Sequence, residues 1–204
     1  VNGCVGGEQL NDNFCVLYTR NEDPSSPQYG GINFLRTTDI NFAKLETSGV
    51  DFTIGYEHDV FDGNLRSTLS GSKVNELDQF TNPNDLSAVD SELGEIQRPE
   101  YAGNLAFNWS NDVVSIGLQN QYIGKQLLGF VEIEEFERGD YDSSVQMDAV
   151  WLHDINASYK IDEVFTVYGG INNLSDEQPF LTNFAYPVGP RGRFFFLGVD
   201  MKFK

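Results

Sequence analysis

Two cysteines, two histidines and a run of carboxylates are the residues of this chain with the most chemistry to offer. Cys4 and Cys15 have ten residues between them, in a stretch rich in Gly, Asn and Asp. A local disulfide there would place the segment in an oxidising compartment, a periplasm or a cell surface. Two unrelated thiols in a reducing cytosol are the alternative. His58 falls at a strand end, and His153 in mid-strand on the apolar side, beside Trp151 and Ile155. Neither has a second His or Cys nearby to complete a metal site. The run Glu132-Ile133-Glu134-Glu135-Phe136-Glu137-Arg138-Gly139-Asp140-Tyr141-Asp142 offers hard oxygen ligands. It lacks the spacing of a calcium loop, and it reads as a solvated acidic loop. Gly3, Gly6 and Gly7 neither follow a strand nor open a helix, so they make no phosphate loop. No serine sits in a G-x-S-x-G turn. The sequence therefore offers no catalytic constellation, no metal site and no cofactor.

The elements that carry these residues come next. The chain has 204 residues, with 13 Lys+Arg against 31 Asp+Glu and a formal net charge of -18. That balance excludes a nucleic-acid partner, because nothing would neutralise phosphates. Mean hydropathy is -0.35. The longest apolar run, Phe194-Phe195-Phe196-Leu197-Gly198-Val199, is too short for a spanning helix. Hydropathy alone reads as soluble, with one exception: transmembrane β-barrels hide their apolar face in alternation. The first residue is Val1, with no charged or apolar leader, so a processed product or a fragment is expected.

Period-2 alternation dominates from Asp39 to the end, and helical periodicity is nearly absent. Val50, Phe52, Ile54 and Tyr56 alternate with Asp51, Thr53, Gly55 and Glu57. Tyr101, Leu105, Phe107 and Trp109 alternate with Asn104, Ala106 and Asn108. Trp151, Ile155, Ala157 and Tyr159 alternate with Asp154, Asn156, Ser158 and Lys160. Phe195, Leu197, Val199, Met201 and Phe203 close the chain against Gly198, Asp200 and Lys202. Weaker cases at 64–74, 113–123 and 164–172 bring the expectation to seven up-and-down strands of roughly 9–13 residues. The connections alternate strictly: short at 59–63, 111–112 and 161–163, long and polar near 75–100, 124–147 and 173–192. Outer-membrane barrels have short periplasmic turns and long extracellular loops, whereas a β-sandwich has no reason to gather its long loops at one end. Aromatic residues near strand ends (Tyr56, Tyr101, Trp109, Tyr122, Trp151, Tyr159) suit an interfacial girdle, although strand propensity also enriches aromatics. The class expected is all-β, antiparallel transmembrane barrel strands. Complete bacterial barrels have an even strand number with both ends in the periplasm. Seven strands therefore place the start of the chain in an extracellular loop. The organisation expected is an extracellular loop with a disulfide hairpin at 1–38, then barrel strands at 39–204.

Certain segments then resemble a known family. Asn172-Asn173-Leu174-Ser175-Asp176-Glu177-Gln178-Pro179 is similar to the segment after the penultimate strand of TonB-dependent outer-membrane receptors. Pro190-Arg191-Gly192-Arg193 through Gly198-Val199 resembles their last strand, and Leu45-Glu46-Thr47-Ser48-Gly49-Val50-Asp51-Phe52 resembles another. The loop from Cys4 to Arg20 resembles a cysteine-bearing loop of many members. The resemblance implies that this is the C-terminal portion of a larger barrel of about 22 strands with a plugged lumen. The N-terminal plug would be absent from this chain. Asn172, Asn173, Leu174, Asp176, Pro179, Arg193 and Gly198 are the motif residues it marks. Phe203 matches the terminal aromatic that the barrel-assembly machinery recognises, though Lys204 follows it.

The function implied is active uptake of a scarce ligand: an iron chelate, cobalamin or an oligosaccharide. The chain would not be an enzyme. Its partners would be outer-membrane lipid, the TonB complex through the plug, the assembly machinery and the ligand. The location implied is the bacterial outer membrane. A passive porin-like barrel and a secreted carbohydrate-binding β-domain are the competing readings.

Overall fold

The computed structural model describes residues 17–36, 44–80, 87, 89–180 and 186–203. Cys4 and Cys15 lie outside the described residues, and so does the disulfide expectation. Strands β1 (Tyr18–Arg20), β2 (Ile32–Leu35), β3 (Leu45–Val60), β4 (Gly63–Phe80) and β5 (Val89–Ser91) come first. They are followed by β6 (Tyr101–Ser110), β7 (Val114–Ile123), β8 (Gln126–Leu127), helix α1 (Ile133–Arg138) and β9 (Gln146–Met147). Strands β10 (Val150–Lys160), β11 (Phe165–Asn172) and β12 (Phe194–Met201) end the chain.

The chain divides into two compact units. In the first, β1 and β2 form an antiparallel hairpin with a bulge between Thr19 and Arg20. Its loop is tied by side-chain-to-backbone bonds: Asn21 Oδ1 accepts from Asp23 N at 3.0 Å, and Asp23 Oδ1 from Ser25 N at 2.9 Å. Ser25 Oγ also donates to Asp23 Oδ1, at 2.7 Å, and the two bonds from Ser25 hold the Asp23 carboxyl below its usual range, the hydroxyl contributing most.

The second unit is dominated by one sheet with strand order β12-β11-β10-β7-β6-β4-β3. Its ladders from β4 to β12 are antiparallel, so the path is an up-and-down meander. The seven expected strands make this path in the expected order, and β5 joins the sheet as an eighth by pairing with β4. Their lengths differ: β3 has 16 residues and β4 has 18, so the long connection expected from 75 begins only after Phe80. Backbone pairing explains the extension. Val74 N donates to Glu100 O and Glu92 N to Leu77 O. Asn75, Glu76, Asp78 and Gln79 carry no alternation to reveal it.

Register assigns every strand residue to a face. Leu65, Leu69, Trp109, Phe107, Leu105, Leu118, Ile116, Ile155, Tyr159, Val167, Leu197 and Val199 share one side. The other side carries Arg66, Ser70, Asn104, Asn108, Gln119, Gln121, Asp154, Asn156 and Asp200. Neither side is covered: Leu197 is 82% exposed, Phe195 64% and Trp151 51%. Away from the long-connection end the described sheet has no buried core and is held by its ladder hydrogen bonds.

The short turns follow local chemistry. Phe61 and Asp62 both take positive φ (52° and 55°), the backbone of a type I′ hairpin turn. Asn111 Oδ1 accepts from Val113 N and Val114 N, and Asp162 Oδ1 from Val164 N and Phe165 N. The two amides lower the Asp162 carboxyl, Phe165 contributing most.

Core packing sits at the long-connection end, where the last residue of β7 and the first of β10 meet the connections. Ile123, Met147 and Val150 are buried, with Ile96, Leu152, Phe180 and Tyr186 packed on them. β8 pairs with β9, and Leu127 is bridged to Glu95. The acidic run expected as an irregular loop contains helix α1. Glu134 and Glu135 occupy its first turn and Arg138 its last, as the helix dipole favours. Gly139 closes it at φ 83°, where a side chain would be strained. Arg138 then pairs with Asp140 at 2.8 Å, which raises its pKa.

Candidate functional site

The polar side of the sheet is where chemistry-bearing side chains converge. Alternation places Asn104 on β6, Gln119 and Gln121 on β7, Asp154 on β10 and Asn172 on β11 in one band towards the long-connection end. A concavity of about 510 Å³ opens there between Asp51, Thr53, Ser70, Ser72, Asn104, Gln119 and Gln121. A second depression of about 220 Å³ lies between Gln119, Gln121, Asp154, Asn172, Asn173 and Gly189. Asn104 Oδ1 is buried and accepts no hydrogen bond among the described residues. The lining is mostly amide and hydroxyl, with Asp51 and Asp154 as its charges. Such groups offer paired donors and acceptors to a polar solute, and none is placed as a nucleophile or base. Among the described residues no group of three or more His, Cys, Asp or Glu could hold a metal.

The motif residues frame the end of this band. Asn173 is 7% exposed with φ 53°. Its N–H donates to Asp154 Oδ1 at 2.7 Å, its Nδ2 to Glu177 O, and its Oδ1 accepts from Glu177 N, both at 2.8 Å. One asparagine thus ends β11, folds the next four residues and locks one wall carboxylate. Leu174 N donates to His153 O at 2.7 Å. Asp176 (φ 59°) reaches across the connection, its Oδ1 accepting from Arg193 N at 2.9 Å. A Cβ at Gly192 would sit 2.8 Å from that same oxygen, so the turn has room for glycine alone. Segments 172–179 and 190–193 are far apart in sequence and joined here. Asn172 lines the band, and Pro179 follows the tied turn. Gly198 lies beneath the Tyr168 ring, which occupies the space a side chain would need. Phe203 follows β12 and is 86% exposed.

His153 is explained by its neighbour. It stands opposite Asn120 on the apolar side. Its Nδ1 lies 2.7 Å from Asn120 Oδ1, while Asn120 Nδ2 donates to Leu105 O at 3.1 Å. The pair therefore satisfies itself, one step inward from Tyr122 and Trp151, whose ring centroids are 4.9 Å apart. Along β6, Tyr101 and Trp109 bracket the apolar band. Eight residues span roughly 27 Å along a strand, or about 20 Å when tilted, close to the apolar height of a membrane barrel.

Sequence reasoning missed Gln126. It is 1% exposed, accepts from Gln97 N at 2.6 Å and donates to Tyr186 Oη at 3.3 Å. It joins three separate connections beside the small core, and no local pattern marks it.

An open meander with one apolar face, one amide-lined face and long connections at one end is the architecture of a membrane β-barrel wall. Comparison with known proteins makes this specific. The model of the "TonB dependent receptor-like, beta-barrel" family matches residues 11–174, and the chain belongs to that family. Two solved structures of the ferric enterobactin receptor PfeA of Pseudomonas aeruginosa are similar in fold. One mutant, R480A_Q482A, superposes with a TM-score of 0.56 at 16% identity over 91% of this chain. Another, G324V, gives 0.57 at 14% identity over 92%. The chain spans 26% of the length of each. No curated protein sequence matches it. The family is one of outer-membrane transport receptors, so the fold class and kinship expected from the sequence hold.

Proposed function

We propose that this chain forms part of the barrel of an outer-membrane receptor that imports a scarce ligand with energy supplied through TonB. The observation that carries the reading is the family match over 11–174, on a sheet whose two faces suit two different media. The apolar side would meet lipid, and the amide-lined side would face the lumen and the ligand's path. The long connections would be extracellular, the short turns periplasmic, and Phe203 the residue met by the assembly machinery. An N-terminal plug carried by the same protein would receive the pull of TonB.

Charge narrows the ligand class. Glu132, Glu134, Glu135, Glu137, Asp140 and Asp142 crowd one long connection, and Glu92 and Glu95 already hold Arg98 in another. An anionic chelate approaching this side would meet a field of its own sign. A neutral or cationic ligand with many hydroxyl or amide groups fits both the field and the wall. A PfeA mutant of similar fold is known in complex with enterobactin, so iron chelates belong in any test panel.

The test is uptake by cells expressing the full-length protein, with and without TonB, from a panel of iron chelates, cobalamin and oligosaccharides. One ligand should be taken up only when TonB is present. Uptake that persists unchanged without TonB would make the protein a passive barrel.

A further inference from the structure

The apolar side of the sheet is interrupted at one place. Gly71 and Gly103 stand directly opposite each other on β4 and β6. The Phe52 ring fills the place of a side chain at Gly71, and beside it Gly103 leaves a notch of about 610 Å³, walled by Phe52, Leu69, Tyr101, Leu105, Tyr122 and Trp151. A continuous wall of side chains would meet acyl chains without preference, whereas a notch can seat one.

The rim of the notch adds charge. Lys73 lines it, its Nζ 5.4 Å from the centroid of the Tyr101 ring. Register makes Lys73 the partner of Tyr101, at the level of the aromatic residues near the long-connection end. It is the only lysine or arginine that the described strands place on the apolar side. No described carboxylate forms an ion pair with it, although the chain has 31 acidic residues. Amphipathic lysines favour this position because the stem lies on apolar surface while the ammonium reaches headgroup level. Beneath the girdle, Asn120 and His153 occupy each other, so among the described strand residues of this side the cation offered to a ligand is Lys73, at the rim.

We propose that this notch is a lipid site. One acyl chain of an anionic lipid lies over Gly103 against the Phe52 ring, and its phosphate sits against the Lys73 ammonium. The proposal rests on the membrane-receptor reading above, since only that reading turns this face towards lipid.

The test uses full-length protein in detergent, mass spectrometry that preserves bound lipid, and two probes of identical chain length. These are dimyristoyl phosphatidylglycerol, which is anionic, and dimyristoyl phosphatidylcholine, which is zwitterionic. A single lysine near a membrane surface should make retention of one phosphatidylglycerol about fivefold greater. Lys73→Gln should bring it down to the phosphatidylcholine level. Gly103→Val should lower retention of both, and its Cβ meets only Ser70 O at 3.3 Å. Equal retention of the two lipids by the unaltered protein, or an undiminished preference in Lys73→Gln, would overturn the proposal. If Gly103→Val does not fold, Lys73→Gln decides alone. Heat-dependent gel mobility separates the two readings. A lost preference with an intact mobility shift refutes the notch alone, and an unaltered protein without a shift refutes the barrel beneath it.

Discussion

In the wall, Ile155 and Asn156 are neighbours in sequence on opposite sides of the sheet, and neither is enclosed by protein. Among the long connections, Gln126 is almost wholly enclosed and reaches Gln97 and Tyr186, 29 and 60 residues away. The first region is organised by backbone ladders and leaves its burial to its surroundings. The second makes a small core from Met147 and the strand ends it meets, Ile123 and Val150. Substitution should therefore act through the medium in the wall and through packing in the loop cluster.

The largest expected effect is in the wall. Ile155→Arg places a cation on the apolar side midway between Trp151 and Tyr159. It should cost about 2–4 kcal/mol of folding stability in lipid vesicles, measured by denaturant titration. Asn156→Arg, one residue on, should cost under about 1 kcal/mol, since that side is wet. Equal costs would erase the distinction between the faces.

Met147→Ala should act locally. It removes a buried side chain from a core of three buried residues that can close around the gap, at about 2 kcal/mol, the low end for such a change. Amide exchange should speed up across 124–150 while that of β11 and β12 is unchanged. Exchange that rises everywhere would mean the loop cluster and the wall form one cooperative unit.

These two regions were unequally legible in the sequence. The wall could be read because period-2 alternation gives each strand an internal check, and the alternation of short and long connections repeats it. Strand limits were less clear, as in β4, where pairing continues past the apolar band among Asn75, Glu76, Asp78 and Gln79. The loop cluster could not be read. Its core residues come singly from segments around 96, 123, 147, 180 and 186, and its central residue is a glutamine that looks like surface. The motif at 172–179 stood out as a resemblance, but its work could not be read. Asn173 and Asp176 act through bonds to Asp154 and to Arg193, one of them 17 residues away. The notch beside Gly103 was invisible because that glycine, taken alone, looks only like a weak point in a strand.

A smaller effect is expected at the junction. Asp176→Ala removes the acceptor for the Arg193 amide, a loss of about 1 kcal/mol that should appear as faster exchange of that amide alone. The smallest concerns the short turns. The Asp162 carboxyl is lowered from 3.8 by the Phe165 and Val164 amides. Its contribution is complete above the unfolded value and is lost as pH falls through the lower folded value. The Phe165 amide should thus stay protected at neutral pH and lose protection in that acidic window. Asp162→Asn should make its protection independent of pH there.

The central claim is that this sheet is a membrane wall with lipid on one side and water on the other. It is tested most directly by spin labels placed singly at 151–159 along β10, in the full-length protein reconstituted in vesicles. Accessibility to oxygen should peak at 151, 153, 155, 157 and 159, and accessibility to a water-soluble nickel chelate at 152, 154, 156 and 158. High chelate accessibility at 153, 155 and 157 would contradict it.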